Sequence, residues 1–166
     1  MSRGLSEEVK DALLPSPAGK TVYVLVGNTL RGDDGAGVFI AENLPEDHEH
    51  ITVINAGDSP ERIFSRVLKE RPVKTVIIDA ADFRGIPGEV RLFSHSRLHE
   101  APLSTHRFPI SVIARLIEED ARCEVHLVGI QIRCVHIGSP MDTCVKESTR
   151  DIIDHILKGM DAKRLN

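Results

Sequence analysis

Tryptophan is absent from this 166-residue chain and aromatic residues make up only 4% of it, so a core cannot rest on large rings and must be aliphatic. No uninterrupted apolar run exceeds about five residues, Val22 to Val26 being one, whereas a membrane-spanning helix needs about 20. A basic excess is also missing. Twenty-one Lys and Arg face 25 Asp and Glu, a formal charge of −4, which disfavours nucleic acid as the main partner. The three cysteines, Cys123, Cys134 and Cys144, match no CxxC zinc or redox spacing and read as plain thiols of a reducing compartment. Near the N-terminus, Glu7, Glu8, Lys10 and Asp11 stand where a signal peptide would need apolar residues, so a cytoplasmic protein is expected. There is no GxSxG elbow, no HExxH and no GxGxxG after the first strand, which leaves a nucleophilic hydrolase or a dinucleotide fold hard to build.

What remains is ordinary globular composition, 41% hydrophobic and 28% charged, at a length that buries roughly 70% of its unfolded surface in one core. Residues 6–14 read as a short helix capped by Ser6, followed by the Pro15 to Gly19 linker, an N-terminal helical extension over residues 1–19. Residues 20–166 then form a single domain. Apolar or alternating runs predict five strands: Thr21 to Val26, His50 to Asn55, Lys74 to Asp79, Gly88 to Phe93, and Glu124 to Ile130. The alternating pattern of the fourth suits a sheet edge. Between them, helical spacing predicts helices from about Asp34 to Leu44, after Ser59-Pro60, after Pro109, and a last one ending near Gly159. Such alternation predicts a three-layer α/β fold, a mainly parallel, twisted five-stranded sheet with helices on both faces.

The segment from Gly27 to Gly37, GNTLRGDDGAG, joins the first strand to its helix, where phosphate loops occur in α/β folds. Its chemistry is inverted: Asp33 and Asp34 stand where a phosphate loop has Lys and Ser or Thr, so the guest expected there is a cation. The plainer alternative is that either acid only caps the helix. Asp79 ends the apolar run of the third strand, and a charge there is tolerable where the strand emerges at its C-terminal end. If the strand order begins 2-1-3, Asp34 and Asp79 face one another across the topological switch point, where open α/β sheets bind ligands. Asp82 competes with Asp79 for this role. Of the eight histidines, His106 stands on a loop, in Ser104-Thr105-His106-Arg107, ahead of a proline-started helix. His95 and His99 fit a solvated turn, and the others fit surface or packing roles. Two carboxylates and an imidazole make an O,O,N set with open positions, borderline for zinc and open to nickel or other first-row ions, so ligand type does not fix the metal.

The stretches VGNTLRGDDGAG, VIIDAAD (Val76 to Asp82), PGEVRLF (Pro87 to Phe93), STHRFPI (Ser104 to Ile110) and LVGIQI (Leu127 to Ile132) resemble, in this order, the hydrogenase maturation endopeptidases, and within them the hydrogenase 3 type. The resemblance covers about residues 21 to 158. It implies an endopeptidase that removes the C-terminal extension of a nickel-iron hydrogenase large-subunit precursor. By the same resemblance Asp34, Asp79 and His106 are the catalytic, metal-contacting residues. Nickel already inserted in the precursor is implied as the recognition signal, so the substrate supplies the metal, although other divalent ions can enter such a site. The chain departs from the family pattern at Asn55-Ala56-Gly57, where many relatives have Asp-Gly-Gly, and at Ile132, where relatives have Pro. Two other readings stand beside the protease: a non-enzymatic chaperone holding nickel or the hydrogenase subunit in the same crevice, and, more weakly, a nucleotide-binding domain.

Overall fold

The computed structural model describes residues 4–93 and 110–164. Helix α1 (Glu7–Leu13) starts at Ser6, whose hydroxyl accepts the Val9 N–H, as an N-cap should. The run TVYVLV forms β1 (Thr21–Val26), buried at every position. A strand apolar on both faces belongs in the middle of a covered sheet. A 3-10 turn (Gly32–Gly35) and α2 (Ala36–Glu42) follow, then the two-residue β2 (Asp47–His48) and β3 (Ile51–Gly57). A second 3-10 turn (Pro60–Ile63) leads into α3 (Phe64–Glu70), and β4 (Lys74–Ala81) comes next. The chain continues through β5 (Val90–Phe93), α4 (Ile110–Ala121), β6 (Glu124–Gln131) and α5 (Thr143–Arg164).

The strands lie in the order β2-β3-β1-β4-β6-β5. The pairs β1–β3, β1–β4 and β4–β6 are parallel, while β2 on β3 and β5 on β6 are antiparallel. All five expected strands are therefore present, with the alternating VRLF strand at an edge. The additional β2 is too short to show any periodicity. Alternate residues of each strand serve opposite cores. Tyr23, Leu25, Val76 and Ile78 pack with α1, α2 and α5, and Val22, Val24 and Ile77 pack with α3 and α4. Helices thus cover both faces.

Several boundaries differ from expectation by one or two residues, β4 for instance running past Asp79 to Ala81 rather than ending at it, and two further differences have clear local causes. The first helix after β1 opens as a 3-10 turn that contains both Asp33 and Asp34, because Gly32 sits at a φ of +57° and turns the chain sharply. The last helix runs on to Arg164 through Gly159, where a Cβ would come within 2.9 Å of Leu14 and Pro15. That glycine serves close approach of the N-terminal segment rather than helix termination.

Side chains of the domain grip α1 by its last carbonyl groups. Lys74 Nζ donates to the carbonyls of Asp11 at 3.2 Å and Leu14 at 2.9 Å, and His155 Nε2 donates to that of Lys10 at 3.0 Å. Burial holds the Lys74 ammonium below its ordinary pKa. The fully buried Tyr23 hydroxyl donates to the Leu13 carbonyl at 2.6 Å. Replacing Tyr23 by Phe strands that buried acceptor and is expected to lower stability by about 1–2 kcal/mol, or roughly 2–8 °C in melting temperature. Thermal unfolding followed by circular dichroism measures it, and an unchanged melting temperature would mean that water replaces the phenol.

Candidate active site

The strand order places the second strand of the chain's main set, then the first, then the third side by side, so the switch point lies between β1 and β4, as the sequence leads one to expect. At the C-terminal end of β1 the backbone turns tightly. Asn28 N donates to the Asp34 carbonyl at 2.9 Å, and Asn28 Oδ1 accepts the Leu30 N–H at 3.0 Å. A Cβ on Gly37 would run into the Val26 backbone, so α2 packs directly on the end of β1. The glycines of this loop allow backbone to meet backbone.

Of the two adjacent acids, Asp33 has a structural task. Asp33 is fully buried, and its carboxylate accepts the N–H groups of Arg133 at 2.7 Å, Cys134 at 2.8 Å and Asp142 at 2.7 Å. It caps no helix of its own: it fastens the loop between β6 and α5. Its own N–H donates to the Cys134 carbonyl at 3.0 Å, closing the connection from the other side. Asp33 is thereby occupied as a structural acceptor. Asp34, 1% exposed, belongs to the 3-10 turn that lies against β4, the strand that carries Asp79.

Asp79 is 4% exposed and stands one residue beyond Ile78, the last β4 residue paired with β1. On its other side β4 pairs with β6, Asp79 lying opposite Gly129. Asp34 and Asp79 thus come from neighbouring elements at the same end of the sheet. Buried carboxylates are tolerated where they are paired or meet a cation. Asp82, by contrast, is exposed and engaged. Its Oδ1 accepts the Arg84 N–H and the Gln131 amide, both at 3.0 Å, which hold its carboxyl below the usual pKa.

Gln131 is a positioning residue that sequence reasoning missed. Its buried amide Oε1 accepts the N–H groups of Phe83 at 2.9 Å and Gly85 at 3.0 Å, and its Nε2 donates to Asp82 and to the Ile132 carbonyl. The loop after β4 is thus fastened to the end of β6. A polar amide closing the apolar run LVGI was the one available signal.

His106 lies outside the described residues, as do His95 and His99. Among the described residues no group of three or more His, Cys, Asp or Glu side chains is arranged to hold a metal ion. His126 pairs with Glu124 at 2.7 Å, and burial, with Lys74 nearby, holds its pKa below the ordinary imidazole value. Cys123, Cys134 and Cys144 are all free thiols. At the departure from the family pattern, Asn55 Oδ1 accepts the Gly57 N–H at 3.0 Å, and Asn55 lines a cleft of about 360 Å³ with Glu42, Glu46 and Arg66. No helix among the described residues is long and apolar enough to cross a membrane.

The profile of the hydrogenase maturation protease family matches residues 38–159. The hydrogenase 3 maturation protease of Escherichia coli K12 is 31% identical over 137 residues, which cover 81% of this chain and 87% of that protein. Among solved structures, a crystal structure of a hydrogenase 3 maturation protease superposes with a TM-score of 0.73 at 30% identity, covering 84% of this chain and 90% of the other. The NiFe hydrogenase maturation protease HycI of Thermococcus kodakarensis KOD1 gives a TM-score of 0.83 at 25% identity, covering 93% and 99%.

Proposed function

The chain belongs to the hydrogenase maturation protease family, and from that premise we propose that it is an endopeptidase that removes the C-terminal extension of a nickel-iron hydrogenase large-subunit precursor after nickel insertion. One observation carries the reading: Asp34 and Asp79, 1% and 4% exposed, stand on adjacent elements at the C-terminal end of the sheet. That is the end where α/β sheets bind their substrates.

In this proposal nickel is part of the substrate. Asp34, Asp79 and His106 contact it when the precursor arrives, so the metal reports that the precursor is ready. Two carboxylates and an imidazole are donors that a first-row divalent ion accepts. A cation beside the scissile peptide polarises its carbonyl or lowers the pKa of an attacking water. The chain's own contribution is to hold two carboxyl groups at fixed positions, with the neighbouring loops tied down by Asp33 and Gln131. We place the reaction in the cytoplasm, in keeping with three free thiols.

The test is mass spectrometry of a large-subunit precursor from the same organism, nickel-loaded or nickel-free, after incubation with this protein. Release of a single C-terminal peptide from the nickel-loaded form alone is expected. Equal cleavage of both forms would refute nickel as the signal. A stable complex that releases no peptide would refute the protease and favour a chaperone.

A further inference from the structure

The three most exposed large apolar side chains among the described residues share one end of the molecule. Ile137 is 84% exposed, Leu30 69% and Ile86 49%. They stand on the loops that follow β6, β1 and β4, the adjacent parallel strands whose C-terminal ends surround Asp34 and Asp79. A single exposed aliphatic residue is ordinary, but several grouped around one crevice mark an interaction site.

Two of the loops are joined. Gly138 N donates to the Leu30 carbonyl at 2.9 Å and Arg31 Nε to the Val135 carbonyl at 3.4 Å, which brings Leu30 beside the turn that bears Ile137. Asp33 locks that turn to the β1 loop, and Gln131 locks the loop of Ile86 to β6. The apolar side chains are therefore exposed on fastened backbone, so little ordering remains for a partner to impose. Each loop also carries an arginine, Arg31, Arg84 and Arg133. Arginine beside large apolar residues is the composition of protein interfaces.

We propose that Leu30, Ile86 and Ile137 form an apolar docking rim for the folded body of the precursor whose tail is cut in the crevice, with Arg31 and Arg84 matching carboxylates around the partner's own apolar patch while Arg133 stays paired with Asp142 at 2.9 Å. The assignment rests on the protease reading above. The rim lies around the two acids, so a protein seated on it presents its terminal segment to them.

The experiment measures affinity and cleavage separately, by biolayer interferometry with the nickel-loaded precursor and by peptide release. Leu30→Ser and Ile137→Ser are each expected to weaken binding by about tenfold or more, since each removes an aliphatic side chain that the complex would bury. Leu116→Ser, which changes an exposed residue of α4 away from the rim, is expected to bind as the unaltered chain does. Unchanged affinity in both rim variants, with cleavage intact, would overturn the docking rim and leave the protease standing. If the unaltered chain neither binds nor cleaves the precursor, both readings fall together.

Discussion

Replacing Asp79 by Asn is expected to slow peptide release by more than about 100-fold while the melting temperature stays close to that of the unaltered chain. The amide keeps the volume of the carboxylate, loses its charge and exchanges one acceptor oxygen for an NH2 donor. Asp79 lies between Ile78 and Ala80 on a strand buried at every position, where a charge destabilises the fold unless something compensates it. Placing such a charge against the local preference for apolar residues makes sense when a cation is to be met there, which is the stability–function conflict seen at working sites. Peptide release and thermal unfolding measured on the same preparation decide the matter. Normal cleavage by the variant would remove Asp79 from the site, and a large fall in melting temperature would make it a structural acid.

For Asp33 the opposite signature is expected. Asp33→Ala removes one carboxylate that satisfies three backbone donors at 2.7 to 2.8 Å. Hydrogen bonds to a charged acceptor are worth about 1.5–3 kcal/mol each and are not additive, so a total loss of about 3–6 kcal/mol is expected, roughly 6–24 °C in melting temperature. Hydrogen exchange should then accelerate at the amides of Arg133, Cys134 and Asp142 before the rest of the sheet opens. Asp33→Asn, which keeps one acceptor oxygen, should lose about half as much. A melting temperature within about 2 °C of the unaltered chain would show that the loop between β6 and α5 holds itself. Peptide release should fall in Asp33→Ala too, but as a consequence of the loosened loop.

The contrast between these neighbouring residues shows where sequence reasoning stops. Asp79 was legible because an apolar run with the period of a strand ended abruptly in an acid. Asp33 and Asp34 were legible only as a pair. Which one fastens the loop between β6 and α5 is decided by N–H groups of residues 133, 134 and 142, about 100 positions away, and no local pattern encodes that partnership. Gln131 escaped for the same reason, its partners being backbone groups of the loop after β4. The sheet itself was readable because burial on one or both faces writes its period into the strands, whereas β2, with two residues, has no period to write. Gly159 looked like a helix stop because glycine has two uses, and only its neighbours Leu14 and Pro15 reveal which applies.

The anchoring of α1 bears on how this part of the chain can drift over evolutionary time. Lys74, Tyr23 and His155 reach its carbonyl oxygens, groups that every amino acid at those positions supplies. Beside the Ser6 cap, the apolar contacts of Val9, Ala12 and Leu13 discriminate among side chains there. The outward positions of the helix are thus free to vary between species without loosening it, provided that the residues gripping it from the domain are kept.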